Sequence, residues 1–512
     1  MRRRDFLADM TATGLTLSAS PLPAPAAESR PNFLIMMSDQ HSPHVLGCYG
    51  DPIVQTPNLD RLARQGVVFE HAYDQAPVCV PAKTSFLTGQ HPFQTRTWSN
   101  GDMLPSDTST FAHSLGGAGY ETTLAGHMHF LGPDQNHGFQ NLMVGIPDPQ
   151  WQNGGSLILA PFMAPGDQCD SKAGVTLAGP GNTASNVFSD AVADATAGFL
   201  RERAQKPGKP FCVVAGMLLP HPPFICSPQD WDYYRDKVTL PAVPPGYFEK
   251  LHPAMQAWRR HRGIEDLSPA EIRGARAGYY GMVAQLDRAI GRILDALRET
   301  GLDRSTVVIY STDHGEMAGE NGMWWKFNFY EGSVSVPLII SWPDHFSPGR
   351  RIREIVSHID LRPTIEELSS GGNTGVSSGK SLLPLLQGKK AEWTNEAFSE
   401  YPMNPHGEPS MRMLRQDRWK LVHFDGMRPQ LFDLEADPHE FQDLGDDPAH
   451  AEIREALHAK VLEGWSSDLY HAELARRLPH RRVLQRWAAT VKPPSLRAWP
   501  VPPDANVFPG RK

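Results

Sequence analysis

The clearest indication of the fold is the run Asn32-Phe33-Leu34-Ile35-Met36-Met37, which is followed directly by Ser38-Asp39-Gln40-His41. A largely apolar run of this length is typical of a strand buried on both faces, as strands are in a parallel sheet covered by helices. The carboxyl ends of such strands are where a parallel sheet presents ligand-binding residues. We therefore expect Asp39 and Gln40 to lie at the edge of the sheet where a functional site forms.

A second apolar run, Thr306-Val307-Val308-Ile309-Tyr310, leads in the same way into Ser311-Thr312-Asp313-His314-Gly315. Helices and strands are expected to alternate along the rest of this part of the chain. Helices are expected over residues 58–65, 187–205, 279–300 and 360–368, and strands over 211–215 and 337–342. This alternation predicts an α/β fold with a large mixed, mostly parallel sheet sandwiched by helices.

The two strand ends together offer a set of metal-binding side chains. Asp39 and Asp313 supply carboxylates, His314 supplies an imidazole, and Gln40 can add a carbonyl oxygen. Taken singly, each residue would be explained as a helix cap or a loop residue. Because they share one topological position, and because this mixture of donors suits divalent ions, we predict a divalent-metal site.

The chain changes character after residue 368. Residues 369–380 are rich in Ser and Gly, which is typical of a linker. Antiparallel strands are expected over 411–414, 419–424 and 430–434, with a helix within 449–469. We predict a catalytic domain over 31–370, a smaller C-terminal α+β domain over 381–491, and a Pro-rich tail over 492–512.

Composition excludes several classes of protein. The 512 residues are 40% hydrophobic and 21% charged, with a net charge of −8, which is a globular composition. No excess of positive charge is available to neutralise a phosphate backbone, so a general nucleic-acid binder is not expected. The five cysteines form no C-x-x-C pair, and no apolar run reaches the roughly 18 residues of a membrane span.

The N-terminus has the pattern of an export signal. Arg2-Arg3-Arg4 precedes Asp5-Phe6-Leu7, a weakly apolar stretch follows, and Ala24-Pro25-Ala26 supplies small residues for cleavage. The arrangement resembles a twin-arginine signal. We predict export by that route over residues 1–27, and hence a periplasmic or secreted protein.

The stretch Cys79-Val80-Pro81-Ala82-Lys83-Thr84-Ser85-Phe86-Leu87-Thr88-Gly89 is the most informative for function. Its proline, basic residue and helix-forming end place Cys79 at a helix N-terminus, where backbone N–H groups suit an anion. It resembles the sulfatase signature C-x-P-S-R-x-x-x-L-T-G, in which the cysteine is oxidised to formylglycine.

Seven further stretches are similar to the sulfatase family, in family order from about residue 31 to residue 445. They are Ser38-Asp39-Gln40-His41, Gly47-Cys48-Tyr49-Gly50, Thr56-Pro57-Asn58-Leu59-Asp60, His129 with Leu131-Gly132, Pro220-His221-Pro222, Asp313-His314-Gly315 with Lys326 and Tyr330-Glu331, and Leu431-Phe432-Asp433-Leu434-Glu435-Ala436-Asp437-Pro438. Residues 128–139 look most like the choline-sulfatase branch. The resemblance implies an alkaline-phosphatase-like fold and hydrolysis of a small sulfate ester.

The resemblance also implies a mechanism. The hydrated aldehyde of residue 79 attacks sulfur, a sulfate hemiester forms, and the second hydroxyl then expels sulfate. His129 resembles the base that assists this breakdown, and His221 and Lys326 resemble the pair that contacts sulfate and protonates the leaving oxygen.

One divalent ion is implied at residue 79, held by residues that match the family's ligands. These are Asp39, Gln40, Cys79, Asp313 and His314. Calcium is the expected ion, with manganese as the alternative because an imidazole ligand admits it.

Two positions depart from the family pattern and are included among the catalytic residues. Lys83 replaces an Arg that the formylglycine-generating enzyme reads, and an ammonium does not reproduce the planar fork of Arg. His127 replaces a Lys; it would titrate near the sulfate as a cation, or remain neutral if buried.

Three functions follow from these residues. The leading one is sulfate-ester hydrolysis. The first alternative is hydrolysis of phosphonate monoesters or phosphodiesters, which enzymes of the same superfamily with similar ligand residues perform. The second is a non-catalytic binder of a sulfated ligand, which would follow if Cys79 remained a thiol because of Lys83.

Overall fold

The computed structural model describes residues 30–145, 170–369, 372, 374–403, 407–491 and 499–507. The predicted export signal over residues 1–27 and its cleavage site lie outside these residues. The strands are β1 Asn32–Ser38, β2 Val67–Tyr73, β3 Glu121–Gly126, β4 Asn141–Met143, β5 Gly179–Pro180, β6 Phe211–Gly216, β7 Ile225–Cys226, β8 Thr306–Thr312, β9 Ser335–Ser341, β10 Arg350–Ser357, β11 Glu396–Tyr401, β12 Met411–Gln416, β13 Trp419–Phe424 and β14 Gln430–Asp433.

Helices of very different lengths connect these strands. They are α1 Pro57–Gln65, α2 Cys79–Thr88, α3 Pro92–Thr95, α4 Phe111–Gly117, α5 Lys172–Thr176, α6 Ala184–Gln205, α7 Pro228–Tyr234, α8 Tyr247–Lys250, α9 Pro253–His261, α10 Pro269–Glu299, α11 Glu331–Val334, α12 Leu361–Leu368, α13 Leu383–Leu386, α14 Ala451–Leu462 and α15 Ser467–Val491. None of the described helices is both long enough and apolar enough to cross a membrane.

The main sheet has eight strands within the described residues, in the order β10-β2-β9-β8-β1-β6-β3-β4. Strand β1 lies between β6 and β8 and is parallel to both. Only β9 runs against its two neighbours in this sheet. The predicted fold class, a large mixed and mostly parallel sheet, is confirmed.

The register of β1 against β8 places the two predicted strand ends together. Ser38 pairs with Thr312, so Asp39 and Asp313 leave their strands at the same level. Along β1, Leu34 and Met36 join the core on one face of the sheet, whereas Ile35 and Met37 join the core on the other. All four side chains are fully buried, as expected of a strand covered by helices on both faces.

A second sheet, with the strand order β11-β12-β13-β14, is antiparallel throughout and packs against α14. It confirms the smaller C-terminal α+β unit. Buried Lys420 on β13 donates to Glu331 at 2.9 Å and contacts Glu440, which ties this sheet to α11 of the larger unit. The boundaries at 370, 381 and 491 stay predictions.

The predicted helix bounds were wrong in two places, and one further helix was missed. Helix α10 begins at Pro269 rather than residue 279, because Ser268 and Glu271 form a capping box at its N-terminus. Helix α6 begins at Ala184 rather than residue 187, and Thr183 caps it. Helix α15 was not predicted.

The N-terminus of α1 is capped differently from what the sequence suggests. Thr56 occupies the cap position, but its hydroxyl accepts the N–H of Gly47 and donates to Asp60. Asp287 of α10 accepts the N–H groups of Asn58 and Leu59 instead. The cap therefore comes from a residue more than 200 positions away in the chain.

The described part of the Pro-rich tail, residues 499–507, contains one β-bridge, between Asn182 and Val507. Trp499 packs against Phe188 of α6. The described cysteines Cys48, Cys79, Cys212 and Cys226 are free thiols.

Candidate active site

Separate elements deliver the predicted site residues to one edge of the main sheet. The ends of β1 and β8 supply Asp39, Gln40, Asp313 and His314, and the start of α2 supplies Cys79 and Lys83. His127 and His129 lie in the loop after β3, His221 lies in the loop after β6, and Lys326 lies in the loop after β8. Most of these side chains are almost fully buried. The sheet thus collects residues that are up to 287 positions apart in the chain.

The predicted metal ligands converge on Cys79. One donor atom from each of Asp39, Cys79, Asp313 and His314 lies within 4.8 Å of the others. His314 donates its Nδ1 proton to the carbonyl of Gly315 at 3.1 Å, which leaves Nε2 facing the Cys79 sulfur at 3.3 Å. Asp313 Oδ1 accepts two backbone N–H groups at 2.9 Å, which fix its carboxylate. These oriented donors fit one divalent ion.

Lys83 lies between the two carboxylates. Its ammonium donates to Asp39 Oδ2 at 2.6 Å and to Asp313 Oδ2, and its side chain is 1% exposed. Although burial opposes both charges, Lys83 holds the pKa of Asp39 well below its usual range, and the two carboxylates raise the pKa of Lys83. The two carboxylates that are predicted to bind metal are therefore already paired with a cation from this chain.

Gln40 contacts two charged groups through the two ends of its amide. Its Nε2 donates to Glu316, and its Oε1 accepts from Lys326 Nζ at 2.6 Å. The carbonyl oxygen that was expected to bind metal thus has an ammonium partner, and the role of Gln40 as a ligand stays a prediction.

Lys326 directs its ammonium at three acceptors. Besides Gln40, these are His221 Nε2 at 3.1 Å and the Cys79 sulfur at 3.4 Å. His221 donates its Nδ1 proton to the carbonyl of Pro222, so its Nε2 is the acceptor in this contact. Burial and the charge of Lys326 lower the pKa of His221, which agrees with a neutral ring.

His127 and His129 pack against each other with ring centroids 4.7 Å apart. Neither Nδ1 has a hydrogen-bond partner among the described residues, although both atoms are buried. Burial, the neighbouring ring and Lys83 lower the pKa of His127 well below its usual value, and burial with Lys83 lowers that of His129 to about 3. The alternative in which His127 is neutral is therefore favoured over the cationic one.

The backbone is strained where several of these residues lie. Gln40 and His129 have φ values of 69° and 55°, and Trp325 and Phe327 on either side of Lys326 have 61° and 70°. L-residues adopt this region at a cost of order 1–3 kcal/mol, and such strain concentrates at functional sites. Two of these strained residues, Gln40 and His129, were selected from the sequence, and the other two flank Lys326.

Two residues that support the site were missed by the sequence analysis. Glu316 follows Asp313-His314 closely, but its partners are visible only in the fold. Asn100 accepts the N–H of Val80 at 3.0 Å and so caps the start of α2, because Val78 at the cap position has no suitable side chain. A polar residue in a loop carries no sequence signal for such a contact.

Comparisons with known proteins agree with this geometry. The Sulfatase family model matches residues 31–371, and the model of the C-terminal part of N-sulphoglucosamine sulphohydrolase matches residues 319–466. The chain is 32% identical to a choline-sulfatase of Rhizobium meliloti (strain 1021) over 437 residues, which cover 82% of this chain and 83% of the relative.

Two further relatives extend the comparison beyond sulfatases. A multifunctional alkaline phosphatase superfamily protein, PehA of Trinickia caryophylli, is 30% identical over 89% of this chain and 98% of its own length. The solved structure of a phosphonate monoester hydrolase from Silicibacter pomeroyi matches with a TM-score of 0.69 and 27% identity, over 85% of this chain and 95% of that one. Because the Sulfatase model covers well over half of the sequence, this chain belongs to the sulfatase family of the alkaline phosphatase superfamily.

Proposed function

We propose that this protein hydrolyses a sulfate ester to an alcohol or phenol and inorganic sulfate, with formylglycine from Cys79 as the nucleophile. The observation that carries the proposal is the convergence on the Cys79 sulfur. His314 Nε2 lies 3.3 Å from it, Lys326 Nζ 3.4 Å and Asp39 Oδ1 4.0 Å. A nucleophile at this position has an acid, a set of metal ligands and a helix N-terminus around it.

The ligands of the proposed divalent ion are Asp39, Asp313 and His314, with residue 79 and Gln40 beside them. Calcium is the expected ion and manganese the alternative. When bound, the ion would neutralise the charge of the substrate and make an oxygen at residue 79 more acidic.

The residues of the chain itself perform the proton transfers. Two protons of the Lys326 ammonium are held by Gln40 and His221, so the third is directed at residue 79 and is available to the leaving-group oxygen. Neutral His129 would accept the proton from the second hydroxyl of residue 79 as sulfate is expelled. His127 would donate a hydrogen bond and no charge.

The buried charges favour a substrate that carries little negative charge. The carboxylates of Asp39 and Asp313 contact the Lys83 ammonium, and Glu316 contacts the amide of Gln40, which accepts from Lys326. Asp170 also acts electrostatically on Lys326. These carboxylates offset the charge of the two ammonium groups and of a divalent ion, so the dianion of a phosphate monoester would leave more uncompensated buried charge than the monoanion of a sulfate monoester, which is costly.

A second candidate function has specific support. Phosphonate monoesters and phosphate diesters are also monoanions, and the likeness to PehA and to the phosphonate monoester hydrolase extends over most of the chain. The same site would then attack phosphorus. A third candidate, a non-catalytic binder of sulfated ligands, rests on Lys83 at the position that maturation reads.

The proposal implies that the protein is modified and exported before it becomes active. A formylglycine-generating enzyme would convert Cys79, and a twin-arginine signal over residues 1–27 would export the folded chain to the periplasm or beyond. The catalytic domain over 31–370 would carry the site, and the unit over 381–491 would pack beside that domain.

Rates on four esters of one phenol test the proposal: a sulfate, a phosphonate monoester, a phosphate diester and a phosphate monoester. The fraction of aldehyde at residue 79 is measured by mass spectrometry of the peptide that contains it, and kcat/KM is scaled to that fraction. We expect the highest kcat/KM for the sulfate and the lowest for the phosphate monoester. Full activity with an unmodified thiol would refute the role of formylglycine, and a higher kcat/KM for the phosphonate or the diester would favour the second candidate.

A further inference from the structure

A buried chain of hydrogen bonds runs from Glu316 through Gln40 to Lys326. We propose that Glu316 is a positioning residue which, through the amide of Gln40, holds the ammonium of Lys326 on the leaving group of the substrate. The inference rests on the proposed function, in which Lys326 supplies the proton to the leaving oxygen.

The orientation of the Gln40 amide follows from the chemistry of its two neighbours. Glu316 also accepts the N–H groups of Ala318 at 2.8 Å and Trp325 at 2.6 Å, so its carboxylate acts as an acceptor in all three contacts. An ammonium can only donate. Between an acceptor and a donor the amide has one satisfactory orientation, with Nε2 on Glu316 and Oε1 on Lys326.

Glu316 also controls the backbone next to Lys326. The N–H that it accepts from Trp325 belongs to a residue with a φ of 61°, immediately before Lys326. One carboxylate thus fixes the side chain of Lys326 through Gln40 and its backbone through Trp325. Both contacts are fully buried, so water does not replace either of them readily.

The consequence for catalysis concerns the direction of the ammonium. With Gln40 Oε1 and His221 Nε2 as fixed acceptors, the remaining proton faces residue 79. In Glu316→Gln, the amide oxygen must still accept the N–H groups of Ala318 and Trp325, so the NH2 group of the new side chain lies opposite Gln40. To avoid two facing donors the Gln40 amide must turn over, which directs its own N–H groups at Lys326 and displaces the ammonium.

The test compares Glu316→Gln with the exchanged pair Gln40→Glu/Glu316→Gln. In the exchanged pair, the new Gln donates to the new Glu, whose second oxygen accepts from Lys326, so charge and polarity of the chain are restored. Glu320→Gln is the matched control, since Glu320 lies in the same loop but contacts His44. Melting temperature, metal content and aldehyde fraction are measured for every variant.

The first readout is kcat/KM for aryl sulfates whose phenols span a wide range of pKa. General acids contribute about 10²–10⁴-fold, so we expect Glu316→Gln to lose at least about tenfold on the poorest leaving groups and little on the best. The dependence of rate on leaving-group pKa becomes steeper in Glu316→Gln, and the Glu320→Gln control keeps that of the wild type. Because Gln40 is also a predicted metal ligand, the exchanged pair is compared at a metal content equal to that of the wild type. An equal loss on all esters, which a purely structural role would give, overturns the inference, as does a failure of the metal-matched exchanged pair to restore the dependence.

The second readout needs no turnover and separates this inference from the proposed function. Binding of inorganic sulfate is measured by calorimetry on the metal-loaded proteins. Loss of one charge-assisted hydrogen bond is worth about 1.5–3 kcal/mol, so Glu316→Gln should bind sulfate about tenfold or more weakly, with recovery in the exchanged pair. Unchanged sulfate affinity in Glu316→Gln overturns the inference. A wild-type protein that binds sulfate but hydrolyses no sulfate ester contradicts only the proposed function.

Discussion

Replacing Lys83 by Met should make the stability of this protein depend on the divalent ion. The ammonium of Lys83 lies 2.6 Å from Asp39 Oδ2 and also contacts Asp313, and the three side chains are 0–2% exposed. Removing one partner from a buried ion pair typically costs about 3–5 kcal/mol, because the remaining charge is left without compensation. Two carboxylates are left here, so we expect a loss of at least that size in metal-free protein.

The bound ion would supply the missing charge. In its presence Lys83→Met should lose only about 1 kcal/mol, the cost of a modest change in packing. Lys83→Met is thus expected to cost about 3 kcal/mol more stability without the ion than with it. By thermodynamic linkage, this difference equals the gain in the free energy of metal binding. Since about 1.4 kcal/mol is a factor of ten, the variant should bind the ion roughly a hundredfold more tightly than the wild type.

Urea unfolding with chelator and with saturating calcium or manganese measures both quantities, and calorimetry measures the affinity directly. Lys420→Met is the matched control, because Lys420 is equally buried between Glu331 and Glu440 but contacts none of the proposed ligands. It should lose the same stability with and without the ion. If Lys83→Met loses the same stability with and without the ion, or loses less than about 1 kcal/mol in chelator, Lys83 does not compensate the two carboxylates in place of the ion.

Three other predictions concern the ligands, the neutral histidine and a buried acid. Asp39→Ala and Asp313→Ala should each lose metal and turnover together, and turnover that survives complete removal of the ion would contradict this. Because the pKa of His127 is lowered by burial, His127→Gln should change the height of the pH profile of kcat/KM but not its shape between pH 6 and 9; a fall with rising pH that the variant abolishes would show a charged ring. Burial raises the pKa of Asp360 to about 7, against about 4 in the unfolded chain, so its contribution to stability is present at low pH and is lost as pH rises between these values. Asp360→Asn should flatten that fall in the free energy of unfolding by up to about 1.4 kcal/mol per pH unit, and an identical slope in both proteins would exclude it.

The centre of the fold could be predicted because its strands are buried on both faces. The β1 and β8 runs are nearly all apolar, so their sequence alone identifies them. Strands with polar residues were missed: β2 contains Glu70 and His71, and β10 has exposed positions at its start. Helix α15 was missed because Pro479 and an arginine-rich stretch hide its periodicity.

The sequence could predict which residues lie together at this edge of the sheet, but not the contacts that they make. Asp39 and Asp313 were placed together by the parallel register, which follows from the strand pattern. The partners of Gln40 depend on contacts 276 and 286 positions away, and nothing local fixes which way an amide faces. Burial also favours the neutral form of His127, which the sequence left between two alternatives.

The structure suggests a second effect of Lys83, the residue that replaces the Arg of the family pattern. In the sequence, a Lys in place of Arg bears on the conversion of Cys79, because the maturation enzyme reads this position. In the fold, the Lys83 ammonium is a point charge on which one oxygen of Asp39 and one of Asp313 converge. A planar guanidinium would hold two carboxylates side by side, whereas a compact cation draws both oxygens to one point, as a metal ion does. Lys83 therefore holds the two proposed ligands together without an ion and would compete with a bound ion for their charge, so its effect should be measured in metal affinity as well as in the aldehyde content of residue 79.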